Sequence, residues 1–196
     1  MLSTEQLILI VKDIDDANAL DPTIDYDIHG TPHPKELLYG QRMTETLSEF
    51  DPAASPLLQI AVRGHHIERW KSPRSDYPMD RKGYKQWRSQ LMLFHAGRVE
   101  EIMLTHQATN EECDRVAFLI KKRKLRQDPE TQSFEDTICL TFLEHYLDDF
   151  ARKHSDEKII DILQKTWNKM SEAGHTSAMA INYSDKGANL VKTALS

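Results

Sequence analysis

Apolar residues recur at three- and four-residue steps along most of the chain, and this spacing predicts helices almost throughout. Ser3 and Gln6 have capping-box spacing and open a helix that Asp21-Pro22 closes, because a residue before proline avoids the helical region. A polar loop follows. Pro34 starts a second helix with Leu37, Leu38, Met43 and Leu47 on one stripe, and Ser55-Pro56 starts a third that carries Leu58, Val62 and His65-His66 as far as Trp70. Pro73 and Pro78 make Lys71 to Asp80 a loop, after which Asp80 caps a long helix bearing Tyr84, Trp87, Leu91, His95, Val99 and Ile102.

The remainder repeats the pattern. Asn110 opens a shorter helix that runs into the basic block Lys121 to Arg126, read as a solvated helix end. A long helix is expected from Glu130 to His154, and another from Ser155 until Gly174 ends it. No segment alternates with period two over a strand length. The expectation is an all-α, single-domain bundle of about seven to eight helices over residues 1–184, with 185–196 a C-terminal tail or short helix.

Composition fits an ordinary globular chain, with 39% hydrophobic and 29% charged residues, 7 Gly and 8 Pro. The net charge of -6 argues against nucleic-acid binding over the whole surface. Cys113 and Cys139 lie among apolar neighbours and read as buried reduced thiols. The apolar run Leu7 to Val11 is too short for a signal segment or a membrane span, so the expected location is cytoplasmic, or nuclear in a eukaryote, with no membrane partner.

Charge is not evenly spread. Between Arg63 and Arg88 eight Lys or Arg stand against Glu68, Asp76 and Asp80, a local excess of +5. Arginine presents a planar fork suited to phosphate or carboxylate, and Trp70, Tyr77, Tyr84 and Trp87 can stack on a ring. Arg63, Arg69, Arg74, Tyr77, Arg88 and Lys169 are therefore candidate ligand-binding residues for an anionic small molecule or nucleotide. The same cluster reads equally as a solvated basic face whose aromatics pack inward. His65, His66 and His95 need polar partners if buried, and Glu135-Asp136 follow on a later helix. Imidazoles with a carboxylate suit a divalent transition metal (Mn, Fe, Co, Ni or Zn). His66, His95 and Asp136 are the candidate ligands, and Glu135 and His65 the candidate catalytic groups.

The runs Arg63-Gly64-His65-His66-Ile67-Glu68-Arg69-Trp70, Pro73 to Met79, Gly83 to Arg88, Phe94-His95-Ala96, Phe134-Glu135-Asp136, Thr166 to Ser171 and Glu36-Leu37-Leu38-Tyr39-Gly40 resemble the DUF4202 family, a domain of unknown function. A more distant likeness is to the HD-domain phosphohydrolases, which implies an HD-like helical fold. In that likeness His66 stands for the first His, His95 for the His of the His-Asp pair and Asp136 for the final Asp. Here Ala96 replaces the pair's Asp, so Glu135 or His65 would have to substitute for it. This resemblance implies a metal-dependent hydrolase acting on a phosphorylated small molecule or nucleotide. The alternative is a non-catalytic module that binds a nucleotide, RNA or an acidic protein. Two weaker signals are present. Lys169-Met170-Ser171 is similar to part of the KMSKS signature of class I aminoacyl-tRNA synthetases, but no nucleotide-binding sheet pattern accompanies it. Glu135, Asp136, Glu144 and His145 suggest a di-iron bundle, but the paired Glu-x-x-His motifs are absent.

Overall fold

The computed structural model of the chain describes residues 2–196. Among them the fold is almost wholly helical: α1 (Thr4–Asn18), α2 (Lys35–Phe50), α3 (Pro56–Arg63), α4 (Arg81–Thr105), α5 (Asn110–Ile120), α6 (Pro129–His145), α7 (Leu147–Arg152), α8 (Asp156–Trp167), α9 (Glu172–Ala180) and α10 (Asp185–Leu195). No helix among the described residues is long and apolar enough to cross a membrane.

Caps set most of the starts. Ser3 and Gln6 form the expected reciprocal box on α1, and Thr109 and Glu112 form another on α5. Ser55, Asp80, Asp128, Ser171 and Ser184 each accept from a first-turn backbone N–H. The apolar stripes then build two cores. Ile10, Ile14, Met43, Leu58, Val99, Leu119 and Phe134 belong to the first, which joins α1 to α5 with the start of α6. Leu140, Leu143, Leu147, Ile159, Leu163 and Leu190 belong to the second, which joins the rest of α6 to α7, α8, α9 and α10. Helix α6 contributes buried residues to both, and Phe50 at the end of α2 packs on the second.

Several expected boundaries move. Residues 21–34, read as a polar loop, contain a short antiparallel hairpin of β1 (Ile24–Tyr26) and β2 (Pro32–Pro34), with Tyr26 opposite Pro32 and Gly30 at φ 77 in the turn. Three-residue strands are too short to leave a period-two signal. The third helix stops at Arg63 instead of Trp70, and Gly64, its C-cap, lies against α4 where a Cβ would come within 2.4 Å of Val99 Cγ2. His65 and His66 therefore sit on the turns after α3, followed by 3-10 turns at Arg69–Lys71 and Arg74–Asp76.

The long helix expected to His154 breaks at Tyr146, whose ring packs beside Tyr39 and under the Arg42 guanidinium. Gly174 does not end a helix. It sits in the first turn of α9, where a Cβ would meet Asp136 Oδ1 at 2.6 Å. Residues 185–196 are not a tail but helix α10, packed through Leu190, Val191 and Ala194 on the second core.

Candidate functional site

A cleft of about 890 Å³ opens where the two cores meet. The turns after α3 supply His65, His66 and Arg69, while α2 supplies Glu36 and Tyr39 and α4 supplies Tyr84 and Arg88. From the other side come Lys122 just beyond α5, Glu135 and Cys139 on α6, and Lys169 beyond α8. Of the residues singled out from the sequence, His65, His66, Arg69, Arg88, Glu135 and Lys169 thus share one wall-to-wall site.

The floor is a stack of rings. Tyr39 lies 4.1 Å from His66, nearly parallel, and His66 lies 4.4 Å from His65. Tyr39 Oη and His65 Nδ1 are 3.0 Å apart. Burial and the neighbouring cations hold both imidazoles well below the usual histidine range, so they are neutral at pH 7. Arg69 donates from Nη1 to His66 Nε2 at 2.6 Å, and a guanidinium can only donate. The His66 proton therefore resides on Nδ1, which faces Glu36 Oε2 at 3.3 Å.

The arginines differ in whether a carboxylate stands beside them. Arg42, Arg63, Arg98 and Arg115 each stand within ion-pair distance of a carboxylate. Arg69 and Arg88 have no such partner among the described residues, although Arg69 is largely buried beside the Trp87 ring at 5.0 Å. Two guanidiniums that face the cleft without an ion-paired carboxylate leave unused donors there, although Glu36 lies near enough to Arg69 to act on it electrostatically.

Glu135 is 2% exposed and lies between two ammonium groups, 2.6 Å from Lys122 Nζ and 3.5 Å from Lys169 Nζ. Lys122 was not expected here, since the basic block was read as solvated. Its left-handed backbone, φ 51, begins a tight corner that returns its side chain inward to Glu135. Burial lowers its ammonium from the ordinary lysine value while Glu135 opposes that shift. Glu36 was also missed, because an acid in the first turn of a helix ordinarily serves only the macrodipole. The one sequence signal for Glu36 and Tyr39 was their place in the motif Glu36-Leu37-Leu38-Tyr39-Gly40.

Five singled-out residues, Arg63, Arg74, Tyr77, His95 and Asp136, lie outside the cleft lining. Arg63 is buried against α1 and α2, where Nε and Nη2 donate to Asp15 at 2.6 Å and Nη1 to Gly40 O and Thr44 Oγ1. Arg74 braces its own loop by donating to the carbonyls of Tyr77, Pro78 and Asp80. Tyr77 is half-buried beside Ser72 in the same loop. Asp136 belongs to α9: Oδ1 accepts from Ser171 N at 2.8 Å and Oδ2 from Ser171 Oγ at 2.6 Å, with Gln132 Nε2 also on Oδ1.

The trio of His66, His95 and Asp136 does not fit a metal centre. Both nitrogens of His66 and both oxygens of Asp136 face protein partners, and His95 Nδ1 is 2.8 Å from Ile67 O. Only His95 Nε2 is left without a partner, and it is buried. Among the described residues no three His, Cys, Asp or Glu side chains group closely enough to hold an ion.

No curated protein and no solved structure matches the chain. Residues 9–191 match the family described as Domain of unknown function (DUF4202), and the chain belongs to that family.

Proposed function

We propose that the cleft binds a phosphorylated small molecule with a planar ring, such as a nucleotide. The observation that carries this reading is the pair of cleft-lining guanidiniums, Arg69 and Arg88, without a carboxylate partner. Lys122 and Lys169 add positive charge on the facing wall, partly offset by Glu135. Tyr39, Tyr84 and Tyr146 offer ring faces along the same cleft. A concave site with a few convergent polar groups suits a small ligand.

Hydrolysis of that ligand through a metal, the reaction implied by the HD-like resemblance, would need ligands other than His66 and Asp136. A binding role asks only for the groups already in the cleft.

The test is titration calorimetry with inorganic phosphate and nucleoside monophosphates against the full chain. Among the described residues no hydrogen bond or ion pair holds Arg88, so Arg88→Ala should fold normally and bind these anions at least about tenfold more weakly. No anion binding by the parent protein, or unchanged binding by Arg88→Ala, would defeat the proposal. Release of phosphate from a monoester in the same samples would turn the binding site into an enzyme.

A further inference from the structure

A cleft built to attract anions contains a carboxyl group that its charge pattern does not call for. Glu36 is 6% exposed and lines the cleft together with Arg69 and Arg88. Its Oε2 stands at one nitrogen of the His66 ring, and Arg69 Nη1 stands at the other. Glu36 and Arg69 are therefore separated by a single imidazole. No hydrogen bond from the described residues reaches Glu36 Oε1, which leaves that oxygen for a ligand.

An ionised carboxylate beside an oxyanion repels it, whereas the same contact attracts when one proton lies between the two oxygens. We infer that Glu36 is the residue by which this cleft selects a phosphate monoester over sulfate esters and phosphodiesters, through one proton shared between its carboxyl group and a phosphate oxygen. The inference rests on the reading of the cleft as a phosphate site. A phosphate monoester has its second ionisation at about 6, so near neutrality either partner can supply the proton. Sulfate esters and phosphodiesters have no ionisation in that range, so they bring no proton to an ionised Glu36 and their weakly basic oxygens are poorer acceptors for a protonated one. No covalent bond forms or breaks, and the complex holds one proton at this contact.

The surroundings of Glu36 agree with this. Lys35 and Tyr39 flank it on α2, Asp21 and Asp25 precede it, and His66, Arg69 and Tyr146 face it from the other elements. Loss of solvation raises the carboxyl to about 7 despite the two cations, which brings it close to the ionisation of the ligand.

Calorimetry of the full chain with inorganic phosphate and inorganic sulfate near pH 7 tests the inference. Phosphate should bind at least about tenfold more tightly than sulfate. Glu36→Gln should narrow that ratio to within about threefold, because an amide donates to either anion. Sulfate within about twofold of phosphate in the parent protein, or an undiminished preference in Glu36→Gln, overturns it. Should Glu36→Gln fold poorly, the parent protein decides alone. Its affinity for phosphate must pass through a maximum near neutrality, because the complex holds one proton, and must fall by at least about tenfold by about pH 9; an affinity that is flat over this range overturns the inference. If neither anion binds, the anion cleft itself fails. If both bind equally and Arg88→Ala weakens them alike, only the role of Glu36 fails.

Discussion

Burial raises the Glu36 carboxyl from its ordinary 4.5 to about 7, and this has a consequence for stability as well as for ligands. A carboxyl raised in the folded state favours folding in its protonated form, so its contribution is whole below 4.5 and fades as the pH rises through about 7. His95, lowered by burial from 6.5 to about 4, works in the opposite sense: its contribution is whole above 6.5 and is lost as the pH falls through about 4. The two trends overlap, so the parent protein alone would hide both. Urea unfolding of Glu36→Gln beside the parent protein isolates the first. The variant should gain on the parent by ~3 kcal/mol between about pH 4.5 and about pH 7.5. A difference that stays constant with pH would contradict a raised carboxyl. At this scale the sequence was legible where chemistry is concentrated: Arg69, Arg88, His65, His66 and Glu135 stand in the cleft. Glu36, beyond its place in the motif Glu36-Leu37-Leu38-Tyr39-Gly40, and Lys122 carry no such mark, since their types suit the exposed end of any helix. Only the packing of α2 on the turns after α3, and the left-handed corner after α5, carry those two side chains inward. Arg63 erred in the other direction, since nothing in its local sequence reveals that Asp15 on α1 is its partner.

Among the helices, α9 shows how one acid can hold an element that local sequence does not announce. Its first turn contains Gly174, a residue that reads as a stop signal, yet the backbone there approaches α6 so closely that Asp136 caps it through Ser171. Asp136→Ala should cost ~1–3 kcal/mol by leaving the Ser171 backbone and hydroxyl groups without their acceptor. Gly174→Ala should cost ~1–3 kcal/mol because the new methyl displaces that same carboxylate. The double variant should cost clearly less than the two single losses together, since removing the Asp136 side chain makes room for the methyl. Additive losses in thermal or urea unfolding would mean that the two residues act separately. The same reasoning explains the boundaries that sequence misplaced. The break at Tyr146 coincides with its contacts to Tyr39 and Arg42, and the end of α3 with the close approach of Gly64 to α4, so both boundaries fall where tertiary contacts meet the local periodicity. Helices that open on their own caps, such as α1 and α4, were placed correctly.

For the molecule as a whole, the all-helical class was legible because the apolar stripes run almost end to end, but their sorting into two cores was not, since no linker separates them. The cleft draws its walls from both cores, with Arg69 and Arg88 attached to the first and Lys165 and Lys169 to the second. A phosphate compound held at about 100 times its dissociation constant would add ~2.7 kcal/mol to stability, enough to raise Tm by about 5–10 °C. A melting curve indifferent to a compound already seen to bind would mean that the compound sits outside the folded cleft. Because α6 is the one helix with buried apolar residues in both cores among the described residues, with Phe50 of α2 the further apolar contact, the segment from α7 to α10 can loosen without dismantling α1 to α5. A bound guest would then act as a clasp, and the slowing of amide hydrogen exchange in α8, beyond the slowing in α3, would measure how firmly it fastens one half of the protein to the other.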